Sequence, residues 1–74
     1  MTATLTFNLP DDQEQFKYAT QATDMYAVLW EYDQLLRSYT KYAPDDIPEQ
    51  VYDAYVAVRQ QLHSIMNSHN ISFE

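Results

Sequence analysis

Few side chains in this 74-residue sequence could do chemistry, and their spacing limits what that chemistry would be. The two histidines, His63 and His69, are six positions apart, which at about 100° per helical residue points them to different sides of one helix and away from a common metal ion. Neither has an acidic partner at helical spacing. The sequence holds no cysteine, so there is no disulfide or thiolate metal site, and no glycine, so there is neither a phosphate-cradling loop nor a nucleophile elbow. Asp45, Asp46, Glu49 and Asp53 would attract a divalent cation, yet they lack the alternating ligands and central glycine of a calcium loop. A solvated, capped helix start accounts for them. Asp33 differs, because it falls beside Tyr26 and Leu29 rather than on a polar side, and Arg37 one turn later offers it an i,i+4 ion pair. These residues point to no enzyme, no cofactor and no metal.

The elements that would position them are written in two apolar stripes. Tyr18, Ala22, Met25, Leu29, Tyr32, Leu36 and Tyr39 advance in steps of four and three, as do Val51, Tyr55, Val58, Leu62, Ile65 and His69. This spacing keeps one side of a helix apolar and forms the seam along which two helices pack. Pairing Leu29 with Leu62, Tyr32 with Val58, Leu36 with Tyr55 and Tyr39 with Val51 matches each step forward with a step back, which predicts an antiparallel hairpin. Tyr18, Tyr32, Tyr39 and Tyr55 are expected in its core.

Boundary signals agree with two helices. Asn8 or Asp11 can cap a first helix running to about Lys41, Asp11 with Glu14 fitting a capping box, and Asp46 with Glu49 fits another for a second helix running to about His69, with Pro48 in its first turn. Pro44-Asp45-Asp46 connects them. Asn70 is the expected left-handed residue after the second helix, with Ile71 reaching back to Met66. Thr4 to Leu9 alternates polar and apolar residues up to Pro10, and Ile71-Ser72-Phe73 alternates again, which predicts two short strands. The expected fold is mainly α: one domain over residues 1–74, a two-helix hairpin with its terminal strands paired at one end (βααβ).

Charge and size narrow the function. Eleven carboxylates against Lys17, Arg37, Lys41 and Arg59 leave a net charge of −7, which opposes binding to nucleic acid phosphates or an anionic membrane and suits either a basic protein partner or simple solubility. No apolar run approaches the roughly 20 residues that span a bilayer, and Met1 to Leu9 lacks a signal-peptide pattern, so the expected location is the cytoplasm. A chain this short buries only about 60% of its unfolded surface, and association is the remaining way to add core. A homodimer is the expectation. Outside the seam, Trp30 and Leu35 flank the first helix, and Tyr52, Val56, Arg59 and His63 recur along one side of the second. Tyr, Trp and Arg concentrate binding energy, so these six are the candidate contact surface.

The order Thr4 to Asp12 with Phe16, then Ala27-Val28-Leu29-Trp30, Leu36-Arg37-Ser38 and Lys41-Tyr42, then Val58-Arg59 to Ile71, resembles small early-region proteins of tailed bacteriophages. The resemblance covers nearly the whole chain, and the Leu-Pro-acidic-acidic start and the Leu-Arg-Ser to Lys-Tyr stretch are its most specific parts. It implies no catalytic residues. It implies a protein of the host cell cytoplasm that binds a host protein and redirects or inhibits it. The alternative is an acidic DNA mimic, with Asp45, Asp46, Glu49 and Asp53 among the carboxylates standing in for phosphates.

Overall fold

A computed structural model describes residues 1–73 as two helices, α1 over Gln13–Lys41 and α2 over Glu49–Ser68, packed against each other as a hairpin. Tyr39, late in α1, stacks on Tyr55, early in α2, with ring centroids 5.0 Å apart, whereas Tyr26, early in α1, meets Phe73 beyond the end of α2. The helices are therefore antiparallel, as the matched stripes require.

Both helix starts differ from the expected capping boxes. Asp12 precedes α1, but its carboxylate accepts a hydrogen bond at 2.9 Å from the backbone N–H of Asn8 in place of a cap. The Asn8 carbonyl accepts in turn from Asp12 N–H at 2.7 Å, which closes the turn around Pro10. With α1 beginning after Asp12, Asp11 is one residue too early to pair with Glu14. At α2 the cause is proline. Ile47 precedes Pro48, which disfavours helical geometry for it. Pro48 is itself extended at ψ 139° and precedes the helix instead of lying in its first turn. Accordingly α2 begins at Glu49, and Asp46 lies in a Pro44–Ile47 turn closed by a 3.1 Å bond.

The end of α2 follows its sequence signal closely. Asn70 has φ of 59°, Ile71 N–H donates to the Met66 carbonyl at 2.9 Å, and Asn70 N–H donates to the Asn67 carbonyl at 3.0 Å. This is a Schellman motif built on asparagine in a chain without glycine.

The two terminal strands do not form among the described residues. Phe7 packs edge-on against Phe16 at 5.7 Å, while Phe73 packs against Tyr26. Ten residues of helix separate Phe16 from Tyr26, about 15 Å, which is three times the spacing of paired strands. Each terminal segment thus covers its own patch of α1 and neither can reach the other.

The helices are also turned relative to the expected seam. Leu36 and Met66 are each 5% exposed, and Asp33 is buried between them. The sheltered residues Leu29, Asp33, Leu36 and Thr40 share one side of α1 by helical angle, as Tyr55, Arg59, Leu62 and Met66 do on α2, and the Asp33–Arg59 bonds place these two sides against each other. Each helix is rotated by about 45° from its apolar stripe. Tyr18, Tyr32 and Tyr39 of the expected core stay exposed, as do Met25, Val51, Val58 and Ile65, while Tyr55 is half-buried. Tyr39 stacks on Tyr55, one turn along α2 from Val51. In antiparallel helices these two rotations bring both stripes to the same side of the hairpin, where Met25, Val28, Tyr32, Leu35 and Tyr39 lie beside Val51, Val58 and Ile65. We refer to this side as the open face. The molecule is long and thin, 56 × 28 × 19 Å, with a radius of gyration of 17.7 Å. A compact chain of this length would have about 11 Å.

Asn70→Gly should retain or raise the unfolding midpoint, because glycine enters the left-handed region freely. Asn70→Val should lower stability by about 1–2 kcal/mol, measured by urea denaturation; equal stability of the two variants would remove the role given to this cap.

Candidate functional site

Three charged or titratable side chains meet at the centre of the hairpin. Asp33 projects from the C-terminal half of α1 towards α2, and Arg59 and His63, one turn apart on α2, share the side that faces it. Arg59 engages the carboxylate side-on: Nε donates to Oδ1 at 2.9 Å and Nη2 to Oδ2 at 3.2 Å. His63 Nε2 donates to Oδ1 at 2.5 Å, and Gln34 Nε2 donates to Oδ2 at 3.2 Å. A carboxylate has about four acceptor positions, and all are filled. Since an ionised carboxylate only accepts, the proton of the His63 bond lies on Nε2.

The Arg59 guanidinium holds the Asp33 carboxyl below its usual value of 3.8 through hydrogen bonding, against burial, which acts to raise it; His63 adds to the lowering. The hydrogen bonds to Asp33 likewise hold the Arg59 guanidinium above its usual value. Asp33 is therefore an anion at neutral pH, neutralised by a cation from the other helix. This corrects the expected pair with Arg37. Arg37 is exposed, whereas Arg59 reaches the buried carboxylate with two parallel bonds and a geometry that replaces more of its lost hydration.

Aromatic groups surround the cluster on the side opposite the open face. Phe73 sits edge-on to both His63 and Tyr26, at 5.8 Å from each, and so ties the C-terminal segment across the two helices. An open groove of about 520 Å³ runs beside the cluster, lined by Thr40, Tyr55, Val56, Arg59, His63 and Asn67 among others. A second, of about 310 Å³, is lined by Tyr26, Ala27, Trp30, Glu31 and Phe73.

The six candidate contact residues thus divide. Val56, Arg59 and His63 line one groove and Trp30 the other, and Tyr52 lies on this side by helical angle, 40% exposed. Leu35, 47% exposed, belongs to the open face. Arg59 and His63 are engaged by Asp33, so their role begins in holding the helices together. Asp45 and Asp46 are exposed on the connecting turn, and Glu49 and Asp53 are exposed in the first turns of α2. Among the described residues no group of three or more His, Cys, Asp or Glu is placed to hold a metal, and no helix is long and apolar enough to cross a membrane.

Asp33 as a partner of both Arg59 and His63 is the feature that spacing along one helix did not reveal. Its signal lay across the hairpin: an acidic residue on the apolar side of one helix, and a cation and a histidine flanking the other within about a turn of the matched register. The chain matches no protein-family model, no curated protein and no solved structure.

Because the folded-state pKa of Asp33 lies below its unfolded value, its contribution is complete above about pH 4 and is lost as pH falls through the folded value. Asp33→Asn should lower stability by about 1–3 kcal/mol at neutral pH. The difference from wild type should shrink in acid, and a gap in urea unfolding that is unchanged at about pH 3 would show that the ion cluster is not its source.

Proposed function

We propose that this chain is a small acidic protein-interaction module, a phage early protein that binds a host or host-defence protein and modulates or inhibits it. The observation that carries the reading is that Trp30, Tyr52 and Val56 lie on the same side of the hairpin as the groove beside the Asp33–Arg59–His63 cluster. The half-exposed Trp30 ring lines one groove and Val56 the other, the half-exposed Tyr52 shares their side by helical angle, and the Asp33 bonds and Phe73 tie the two helices together beneath them. Aromatic anchors with a preorganised support are the arrangement from which binding energy is drawn. The negative surface adds attraction for a basic partner and speeds encounter more than it strengthens the final contact.

Such a module acts by occupying a surface. Nothing in that role requires turnover, and the satisfied hydrogen bonds of Asp33 fit a positioning element. The cytoplasm of the host cell is where a protein of this kind would meet its partner.

Tagged chain expressed in a bacterial host should co-purify with one host protein in near-equal amount. Trp30→Ala with Tyr52→Ala should reduce its recovery by about tenfold or more. Neutralising Asp45, Asp46, Glu49 and Asp53 together should leave recovery intact, also in high salt. Loss of the partner on neutralisation or on raising salt would instead favour mimicry of DNA. Recovery of no stoichiometric partner would defeat the reading.

A further inference from the structure

The open face is the largest feature of the molecule that a partner surface around Trp30 and Tyr52 leaves unused. We propose that it is the self-association surface, and that two copies pair through it as a four-helix bundle around a two-fold axis, with the Asp33–Arg59–His63 sides turned outwards. Three observations lead there.

The first is area. The chain exposes 6490 Å². A folded monomer of 8.7 kDa should expose about 4,700 Å². The excess is about 1,800 Å² per chain; residues 1–6, exposed throughout, hold part of it, and the remainder is available to a dimer interface, which needs only about 800 Å² from each copy. The hairpin alone buries about half of its extended-chain surface, short of the roughly 60% usual at this size. Whatever covers the face must be present whenever the chain folds, and a second copy meets that condition.

The second is spacing. On α1, Met25, Val28, Tyr32, Leu35 and Tyr39 advance by three and four residues, the a and d positions of a strict heptad. On α2, Val51, Val58 and Ile65 recur at seven. A repeat of seven on a surface describes a seam for another helix of the same pitch, and side-by-side stripes on two antiparallel helices form a surface that matches itself after a half-turn.

The third is charge. By helical angle no charged residue falls on this face between Met25 and Tyr39 or between Val51 and Ile65, although the chain carries a net −7. Two copies can therefore approach through the one side on which they do not repel, and depletion of charge with enrichment of tyrosine and methionine is the composition of an interface core.

Sedimentation and light scattering of the purified chain at micromolar concentration should give twice 8.7 kDa, with an unfolding midpoint that rises with concentration. Oxidative footprinting of the wild-type chain needs no substitution and should show Met25 and Tyr32 protected relative to Trp30. Val28→Glu with Val58→Glu should abolish the dimer, as monomer or as unfolded chain, while Trp30→Glu should leave it intact. A folded wild-type monomer, an assembly larger than a dimer, protection of Trp30 in place of Met25 and Tyr32, or a dimer that survives the double variant and fails in Trp30→Glu would each overturn the proposal.

Discussion

A carboxylate buried between two helices must be answered from the second helix, and this constraint organises the rest of the molecule. Asp33 cannot sit in the interface unless Arg59 and His63 arrive with it, since an ionised carboxylate left without partners there costs several kcal/mol, comparable to the whole stability of a small domain. The three residues fix the relative rotation of the helices. Apolar stripes tolerate sliding and turning, because methyl groups of similar size replace one another; a side-on guanidinium with two parallel bonds does not. Whether the cluster adds net stability is secondary to the single arrangement it selects.

The cluster has a consequence for the apolar residues. By occupying the centre of the interface it displaces half of each stripe to one side, so that only Leu36 and Met66 among the described apolar residues become fully buried. Two buried apolar side chains make a small core for some fifty helical residues. The hairpin is in this sense incomplete by itself. Its two sides have become different surfaces: one apolar, uncharged and heptad-spaced, the other with aromatic rings around a satisfied ion cluster.

Much of the fold was legible in the residue order. The periodic stripes predict two helices, and the short connection between them makes an antiparallel hairpin the arrangement within reach, although the stripes themselves do not face each other in it. Asn70 specifies its own left-handed turn, since asparagine is the best substitute for glycine there. Other local signals were overruled by neighbours. Pro48 excludes Ile47 from helical geometry and so disqualifies Asp46 as a cap. Asp12 serves the Asn8 turn. The alternating segments 4–9 and 71–73 carry strand patterns, but a strand requires a partner within hydrogen-bonding distance, and the length of α1 keeps these two apart.

The candidate site divides along the same line. Residue types and spacing by themselves determined that the chain folds as a helical hairpin, that it is strongly acidic, and that aromatic and apolar residues exceed what one seam can use; these follow from periodicity and composition, which are local properties. Only the tertiary structure decided that Asp33 pairs with Arg59 and His63 rather than with Arg37, that Phe73 bridges the helices beside Trp30, and that the unused apolar residues collect on one side. Those outcomes depend on the rotation of each helix about its axis, set by a bidentate ion pair between residues 26 positions apart, and rotation is a property of the pair that neither helix carries alone.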